Sequence, residues 1–329
     1  MSAAVHPLDA MPCLASCRSE EPAVAVTSQN KAHLPTFAEM VTSFKAEVAT
    51  MQCDVRPSSP PATLDSIKQA FEDISFDRMR RHLTTSKKPF VVISGVSVEV
   101  FNAYFEDDED APVALRFVDL VNGSIIITDF PSEAHEAVIH KFVSEFLHAS
   151  GDRDEVAPRG SFTASRGRGS KKKQADASFG PLFRTLNRGP PPTVDEGPPR
   201  VLRALKHWVT LAVEVGYSQK WNGLRVAGNW WSNYVGVKYV LLMRVDKNAT
   251  KLQYRLYEIT HVGDLPAPSR RGSMTLDNAA GAQHPILRID TRVLLAIPPG
   301  EALPADMNDF CNVNLLRVLQ KAHDVLCDD

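Results

Sequence analysis

The sequence predicts an α/β domain, a mixed central sheet flanked by helices, behind a long N-terminal segment that has no core of its own. Three observations carry this expectation. From about residue 86 onward, apolar runs of strand length alternate with amphipathic patterns of helical period. Asn122-Gly123 joins two strand-like runs, and both residue types tolerate the positive φ of a type I′ hairpin turn. Residues 1–85 lack a sustained apolar period, while Pro, Ser, Ala and Thr recur, as in Arg56-Pro-Ser-Ser-Pro-Pro-Ala62.

The N-terminal segment 1–85 therefore reads as mostly disordered, with transient helical patterns near Phe37–Met51 and Thr63–Phe76. Pro89–Ser94 reads as the first strand and Val96–Tyr104 as a short helix, followed by a solvated acidic loop, Glu106-Asp-Asp-Glu-Asp110. The hairpin runs from Val113–Asp119 through Asn122-Gly123 to Ser124–Asp129. Ser132 then caps a helix whose Ala134, Val138, Ile139, Phe142, Val143, Phe146 and Leu147 share one face, and Gly151 ends it. Ala175–Phe179 is a short strand, Val201–His207 a short helix, and Leu211–Gly216 an apolar strand carrying one acid, Glu214. Trp221–Tyr234 reads as a helix, Val237–Val245 and Leu252–Ile259 as two strands around Asp246-Lys-Asn248, Ile286–Ile297 as a strand, and Met307–Leu326 as a closing amphipathic helix. Loop insertions are expected near 152–173, 181–199 and 261–284.

At 329 residues the chain has room for one large or two ordinary domains, and 43% hydrophobic residues suffice for a core. A net charge of −2 argues neither for nor against a nucleic-acid partner, so local charge has to decide. The five cysteines, Cys13, Cys17, Cys53, Cys311 and Cys327, are odd in number and sparse, which points to free thiols rather than a disulfide scaffold or a zinc site. No apolar stretch reaches the ~20 residues of a membrane span, and no basic start precedes an apolar block at the N-terminus. The expectation is an intracellular protein, cytoplasmic or nuclear.

Glu214 carries the functional argument. An unpaired charge in a buried strand costs several kcal/mol, so this acid needs a partner or a role. Asp176 sits on another strand segment, and adjacent strands lie ~4.8 Å apart. Their carboxylates can converge on one divalent cation; Mg²⁺ suits one or two carboxylates completed by waters and phosphate oxygens, and a metal so held activates water at a phosphate.

Taken in order, Leu115-Arg-Phe-Val-Asp-Leu-Val-Asn-Gly123, Pro131-Ser-Glu-Ala-His135 with Ile139 and Phe142, Ala175-Asp-Ala-Ser-Phe179, Val213-Glu-Val-Gly-Tyr-Ser218 and Gly236-Val-Lys-Tyr239 resemble the restriction endonuclease-like proteins of the PD-(D/E)XK nuclease superfamily. The resemblance spans about residues 86–325 and lies in the order and spacing of the set. It implies a restriction-endonuclease-like core with Asp176 and Glu214 as metal ligands, joined by an acid of the first core helix, Glu136, with Glu133 behind it. The chain departs from the pattern twice. Ala175 stands where the family has Pro, and Gly216 stands where it has the Lys that polarises water or neutralises the transition state. The resemblance allows that basic group to come from the following helix, where Lys220 and Arg225 are the candidates. Arg225 stabilises charge only, since a guanidinium stays protonated.

Between Arg159 and Lys173 lie six basic residues and no acid, with Gly160, Gly167 and Gly169 among them. Arg166, Arg168, Lys171, Lys172 and Lys173 form either a solvated loop, a phosphate-backbone clamp or a localisation signal. His135 reads as an exposed or capping histidine. Trp230, Trp231 and Tyr234 serve either core packing or base stacking, and Arg270-Arg-Gly-Ser273 matches a basophilic kinase site, a frequent chance pattern. The functional expectation is a Mg²⁺-dependent nuclease-like protein acting on nucleic acid; the alternatives are an inactive nuclease fold that binds nucleic acid or protein, and a scaffold docked through its N-terminal tail.

Overall fold

A computed structural model describes residues 61–86, 88–106, 111–151, 155–160, 162–194, 201–217, 219–277 and 286–327. The described chain begins with two helices, α1 (Leu64–Glu72) and α2 (Phe76–Thr85). In α1, Thr63 and Ser66 cap one another reciprocally: Ser66 N–H donates to Thr63 Oγ1 at 3.2 Å and Thr63 N–H to Ser66 Oγ at 2.8 Å. Ser75 caps α2. Ile67, Phe71, Met79 and Leu83 are buried. The expectation of a mostly disordered 1–85 segment is therefore corrected for residues 61–85. Four apolar residues at helical spacing, too few to show as a sustained period, fill a core supplied by the following strands. The pattern near Phe37–Met51 lies outside the described residues, as does most of the acidic run after Glu106.

That core belongs to a small antiparallel sheet of order β1-β3-β2, made by β1 (Phe90–Ser94), β2 (Val118–Val121) and β3 (Ser124–Ile127). α3 (Val98–Tyr104) packs beside it, and Phe71, Phe101, Phe105, Leu115, Phe117, Ile125 and Ile127 share the interior. The β2–β3 turn is the expected one, with Asn122 at φ 50° and Gly123 at φ 72°.

α4 (Glu133–Ser150) starts at Ser132, whose hydroxyl accepts from His135 N–H, and stops at Gly151 with φ 89°. The main sheet has the order β11-β10-β9-β8-β5-β4, with β4 (Val156–Pro158), β5 (Ala177–Pro181), β8 (Leu211–Gly216), β9 (Tyr239–Val245), β10 (Lys251–Glu258) and β11 (Arg270–Thr275). Only β8 and β9 run parallel, through the crossover helix α5 (Trp221–Ser232); every other neighbouring pair is antiparallel. Between β5 and β8 a ribbon forms from β6 (Thr193–Val194) and β7 (Val201–Leu202). The chain ends with β12 (Ile286–Asp290), the short α6 (Thr291–Leu294), β13 (Phe310–Asn314) and α7 (Leu315–Cys327). This is the expected mixed sheet flanked by helices.

Four sequence boundaries move for identifiable reasons. The 152–173 insertion contributes the edge strand β4 and a two-way backbone bridge between Ala164 and Lys173. The 261–284 loop contains β11, whose residues pair with β10 from Lys251↔Thr275 to Leu256↔Arg270. The Ile286–Ile297 strand ends at Asp290, whose carboxylate caps α6 through Val293 N–H. The Met307–Leu326 helix begins at Leu315, because Cys311 and Val313 alternate inward as strand residues before it. Of the cysteines in the described residues, Cys311 is buried and Cys327 exposed, both as free thiols. Among the described residues, no helix is long and apolar enough to cross a membrane.

One face of the main sheet packs on α4 and α7 through Val138, Phe142, Phe146, Leu211, Val213, Val215, Leu315 and Leu319. The other packs on α5 through Ala212, Leu224, Trp231, Val240 and Leu242. If α1 and α2 belong to the folded unit, Phe71→Ala destabilises the protein by roughly 3–5 kcal/mol, the usual cost of emptying a buried aromatic site; an unchanged urea-unfolding midpoint would contradict that.

Candidate active site

Strand periodicity decides where Glu214 points. Along β8, Leu211, Val213 and Val215 enter the core shared with α4 and α7, so Ala212, Glu214 and Gly216 face α5. The Glu214 side chain is 6% exposed. Its Oε1 accepts from Trp231 Nε1–H at 2.5 Å and lies 3.5 Å from Lys173 Nζ. Burial pushes the Glu214 carboxyl up to about 7, with Lys173 opposing and the nearby Asp176 charge adding to the rise.

Asp176 stands one residue ahead of β5. Because β5 and β8 are antiparallel with Ala177 opposite Val213, the start of β5 lies beside the end of β8. Asp176 N–H donates to Val213 O at 3.1 Å, and its Oδ2 accepts from Val215 N–H at 2.6 Å. The side chain thus extends the strand ladder by one bond. Oδ1 faces His135 Nε2 at 3.6 Å, and the same nitrogen lies 3.2 Å from Val215 O. His135 is buried. Burial works against its charge, but Asp176, Glu136 and Asp129 outweigh burial and raise its pKa to about 10. It is an imidazolium held among carboxylates, not the exposed or capping histidine that its helix-start position suggests.

Lys173 is the other internal cation. Burial opposes its charge, yet Glu214, Asp119 and Asp176 together raise its pKa. Its backbone is fixed by the bridge to Ala164, with N–H to O distances of 2.8 and 3.0 Å. Arg116, Asp119, Asp129, His135, Lys173, Asp176, Glu214 and Gln219 line one narrow cleft. Its free space of about 10 Å³ is roughly what one water molecule needs.

The sequence-derived residues thus fall into two groups. Asp176 and Glu214 come together, as their strand positions imply. Glu136 lies at the cleft's edge, where its Oε1 accepts from Arg116 at 2.7 Å and sits 3.4 Å from His135 Nδ1; the His135 bond first, then Arg116, hold its carboxyl below the usual range. Glu133 begins α4 beside the capping Ser132. Neither Lys220 nor Arg225 lines the cleft. Lys220 precedes α5 and borders a neighbouring groove, and Arg225, whose pKa burial lowers, has Tyr257 and Arg255 as its charged or titratable neighbours.

Gly216 cannot take the family's lysine without rearrangement, since a Cβ there would meet Leu224 Cδ1 at 3.0 Å and Gln219 Cβ at 3.2 Å.

The basic stretch is docked on the fold rather than a solvated, mobile loop. Lys171 pairs with Asp119 and donates to Leu120 O at 3.1 Å. Lys172 pairs with Glu106 at 3.2 Å, and its N–H donates to Asn102 Oδ1 at 2.7 Å. The Arg166 guanidinium lies 4.9 Å over the Trp230 ring. Arg168 alone of the five is classed as exposed. Trp230, Trp231 and Tyr234 are buried and pack on one another, so they are core residues.

Lys173, placed by sequence in the clamp, is the residue whose role in the site was missed. It precedes Asp176 by three residues, ~10 Å of extended chain at most, well within a lysine's reach. Asp119, Asp129, Arg116 and Trp231 carry no comparable signal, because only tertiary packing brings them here.

Among the described residues, no group of three or more His, Cys, Asp or Glu side chains is arranged to hold a metal. The donor chemistry still fits Mg²⁺, for which one or two carboxylates suffice. Asp119, Asp129, Asp176 and Glu214 line the cleft beside Arg116, His135 and Lys173.

No family model matches the chain, and no curated protein matches it. Among solved structures, a protein of Anabaena variabilis described as "a putative nuclease belonging to DUF820" is similar, with a TM-score of 0.38 and 9% sequence identity over 69% of this chain and 98% of that one. At that similarity the match adds nothing to the reading of the site, which rests on the geometry above.

Two outcomes follow for stability. Gly216→Leu, whose side chain must displace both Leu224 and Gln219, destabilises by about 1–3 kcal/mol through overpacking, measurable by denaturant unfolding. For His135, the folded-state pKa of about 10 lies above the ordinary 6.5, so its stabilisation is whole below pH 6.5 and is lost as pH rises through about 10. The unfolding midpoints of wild type and His135→Gln should therefore converge across that window; a gap that stays constant would mean that the imidazolium contributes nothing.

Proposed function

We propose that this chain is a nuclease of the PD-(D/E)XK type, hydrolysing phosphodiester bonds in nucleic acid with Asp176, Glu214 and Lys173 as its working set. The observation that carries the reading is the approach of Lys173 Nζ to Glu214 Oε1, 3.5 Å, in the cleft that Asp176 also lines. The absence of lysine at position 216 argued against chemistry only while no other cation was in reach. Lys173 supplies that cation from the other strand.

Asp176 and Glu214 would hold Mg²⁺, which when bound polarises a phosphoryl oxygen and lowers the pKa of water. The chain's own groups have separate tasks. Lys173 has a raised pKa, so it remains an ammonium at neutral pH. Its part is to neutralise charge developing on the phosphate, not to accept a proton. The Val215 N–H and His135 fix the two oxygens of Asp176. Trp231 fixes Glu214 and keeps water from one side of it. Gln219 and Thr128, also in the lining, are neutral groups able to contact a phosphate without competing for the carboxylates.

The test is cleavage of end-labelled single- and double-stranded DNA and RNA with Mg²⁺ or Mn²⁺. Wild type should cleave, chelation should stop it, and Asp176→Asn and Lys173→Met should each lower the single-turnover rate by about 10²-fold or more, the usual loss when one charge-stabilising group goes. Circular dichroism checks that the variants fold. A wild type that cleaves nothing, or a Lys173→Met protein that cleaves normally, would sink the assignment.

A further inference from the structure

A second cavity adjoins the cleft and belongs to no motif read from the sequence. Its free volume is about 290 Å³, near the ~300 Å³ lower end of small-molecule pockets. One wall is the end of α2 and the segment after it, Leu83 to Ser86 with Lys88; the other is the start of α5 with Arg244 of β9 and Lys247 of the following turn. Among the described residues lining it, Lys88, Lys220, Arg244 and Lys247 are basic and none is acidic. Thr128, Gln219 and Gly223 line both this groove and the cleft, so the two spaces are contiguous.

We infer that this groove binds one single strand of nucleic acid by its phosphates and leads it to the recessed carboxylates. The inference rests on the nuclease reading for what happens at the cleft, but the groove's binding does not require catalysis. Two features favour a polyanion and a third favours a single strand. Cations without carboxylates suit a polyanion, whose binding is driven by phosphate neutralisation. The end of α2 would oppose an anion through its carbonyls, yet Lys247 Nζ donates to Thr84 O at 2.7 Å, which satisfies that carbonyl and fixes the wall. Asp176 and Glu214 are 5% and 6% exposed at the bottom of a space for about one water. A stiff duplex keeps its phosphates on a convex surface and does not enter so narrow a channel, whereas a single strand bends to follow a basic groove. No aromatic residue lines the groove among the described residues, so it offers no stacking platform and recognition is indifferent to base.

The experiment is fluorescence anisotropy of labelled oligothymidine, and of the corresponding duplex, with the full chain in EDTA over a range of salt. Wild type should bind the single strand more tightly than the duplex. The triple variant Lys88→Gln/Lys220→Gln/Arg244→Gln should lose at least tenfold in affinity, and its log–log salt slope should be shallower by about 2, from ~0.7 per lost phosphate contact on single strands. Lys247 is left in place because it holds α2. Lys88→Gln alone, at an exposed position, gives the same direction without risk to folding, and Lys206→Gln, also exposed and outside the groove, should bind as wild type. Equal binding by the triple variant and wild type, a preference for duplex, or no binding by wild type would overturn the groove. Cleavage is not read here, so strand binding by a protein that fails the separate Mg²⁺ or Mn²⁺ cleavage test would refute the nuclease assignment and leave the groove standing.

Discussion

The buried carboxylate of Glu214 is the constraint around which the other parts are arranged. Strand alternation turns it toward α5, where it is almost wholly buried, and a buried charge without partners costs several kcal/mol. Two groups answer it from different parts of the chain. Trp231 donates from α5, which fixes the rotation of that helix on the sheet and draws Leu224 over Gly216. Lys173 answers from the segment before β5, which is pinned in turn by the Ala164 bridge, by Asn102 on α3 and by Asp119 on β2. One acid therefore ties the crossover helix, the basic segment and the small N-terminal sheet to the same point of the main sheet.

The charges at that point form a set rather than separate pairs. Asp176 is held by Val215 N–H and faces His135; His135 also faces Glu136, which Arg116 holds. His135 and Lys173 each sit near more than one carboxylate. The result is a rigid cleft whose carboxylates keep fixed directions before any ligand arrives. Such preorganisation is what electrostatic catalysis requires, since groups already aimed need no reorganisation when charge develops. It also sets a limit on size, because the room left is about one water, and a phosphate would have to approach from the adjoining groove.

Much of this was legible in the sequence, and the remainder was hidden for physical reasons. Local signals held where the structure is local: the Asn122-Gly123 turn, the Ser132 cap, the Gly151 stop, the strand bearing Glu214 and the β9–β10 pair. That Asp176 and Glu214 line one cleft was also legible, because Asp176 immediately precedes β5 and Glu214 lies on β8, the strand paired with it. The signals failed where a residue's partner is distant. Ile67, Phe71, Met79 and Leu83 look unremarkable until the small sheet supplies their core, so α1 was read as a transient helix and α2 as disorder. Composition suggested that Arg166–Lys173 was a solvated basic loop, but composition carries no information on Asp119, Glu106 and Trp230, which bind three of its members. Lys88, Lys220, Arg244 and Lys247 are scattered over the sequence and form a groove only in the fold.

On the proposed nuclease reading, Lys173 stands in for the lysine that position 216 lacks, so the charge pattern is kept while the sequence pattern changes. A lysine two residues beyond the glutamate would point to the same face of β8 as Glu214, into the volume that Leu224 fills. Closing that volume with an apolar residue packs α5 against the sheet and leaves no space for an ammonium stem. Lys173 reaches Glu214 from across the β5 side instead, so the cation is kept and the helix packing is gained. The exchange also changes what the lysine can do. Flanked by Glu214, Asp119 and Asp176, Lys173 has a raised pKa, so it acts as a permanent positive charge rather than as a proton acceptor. Under the proposed reading, a proton lost by an attacking water would pass to solvent or to the phosphate itself, and the contribution of Lys173 would be electrostatic.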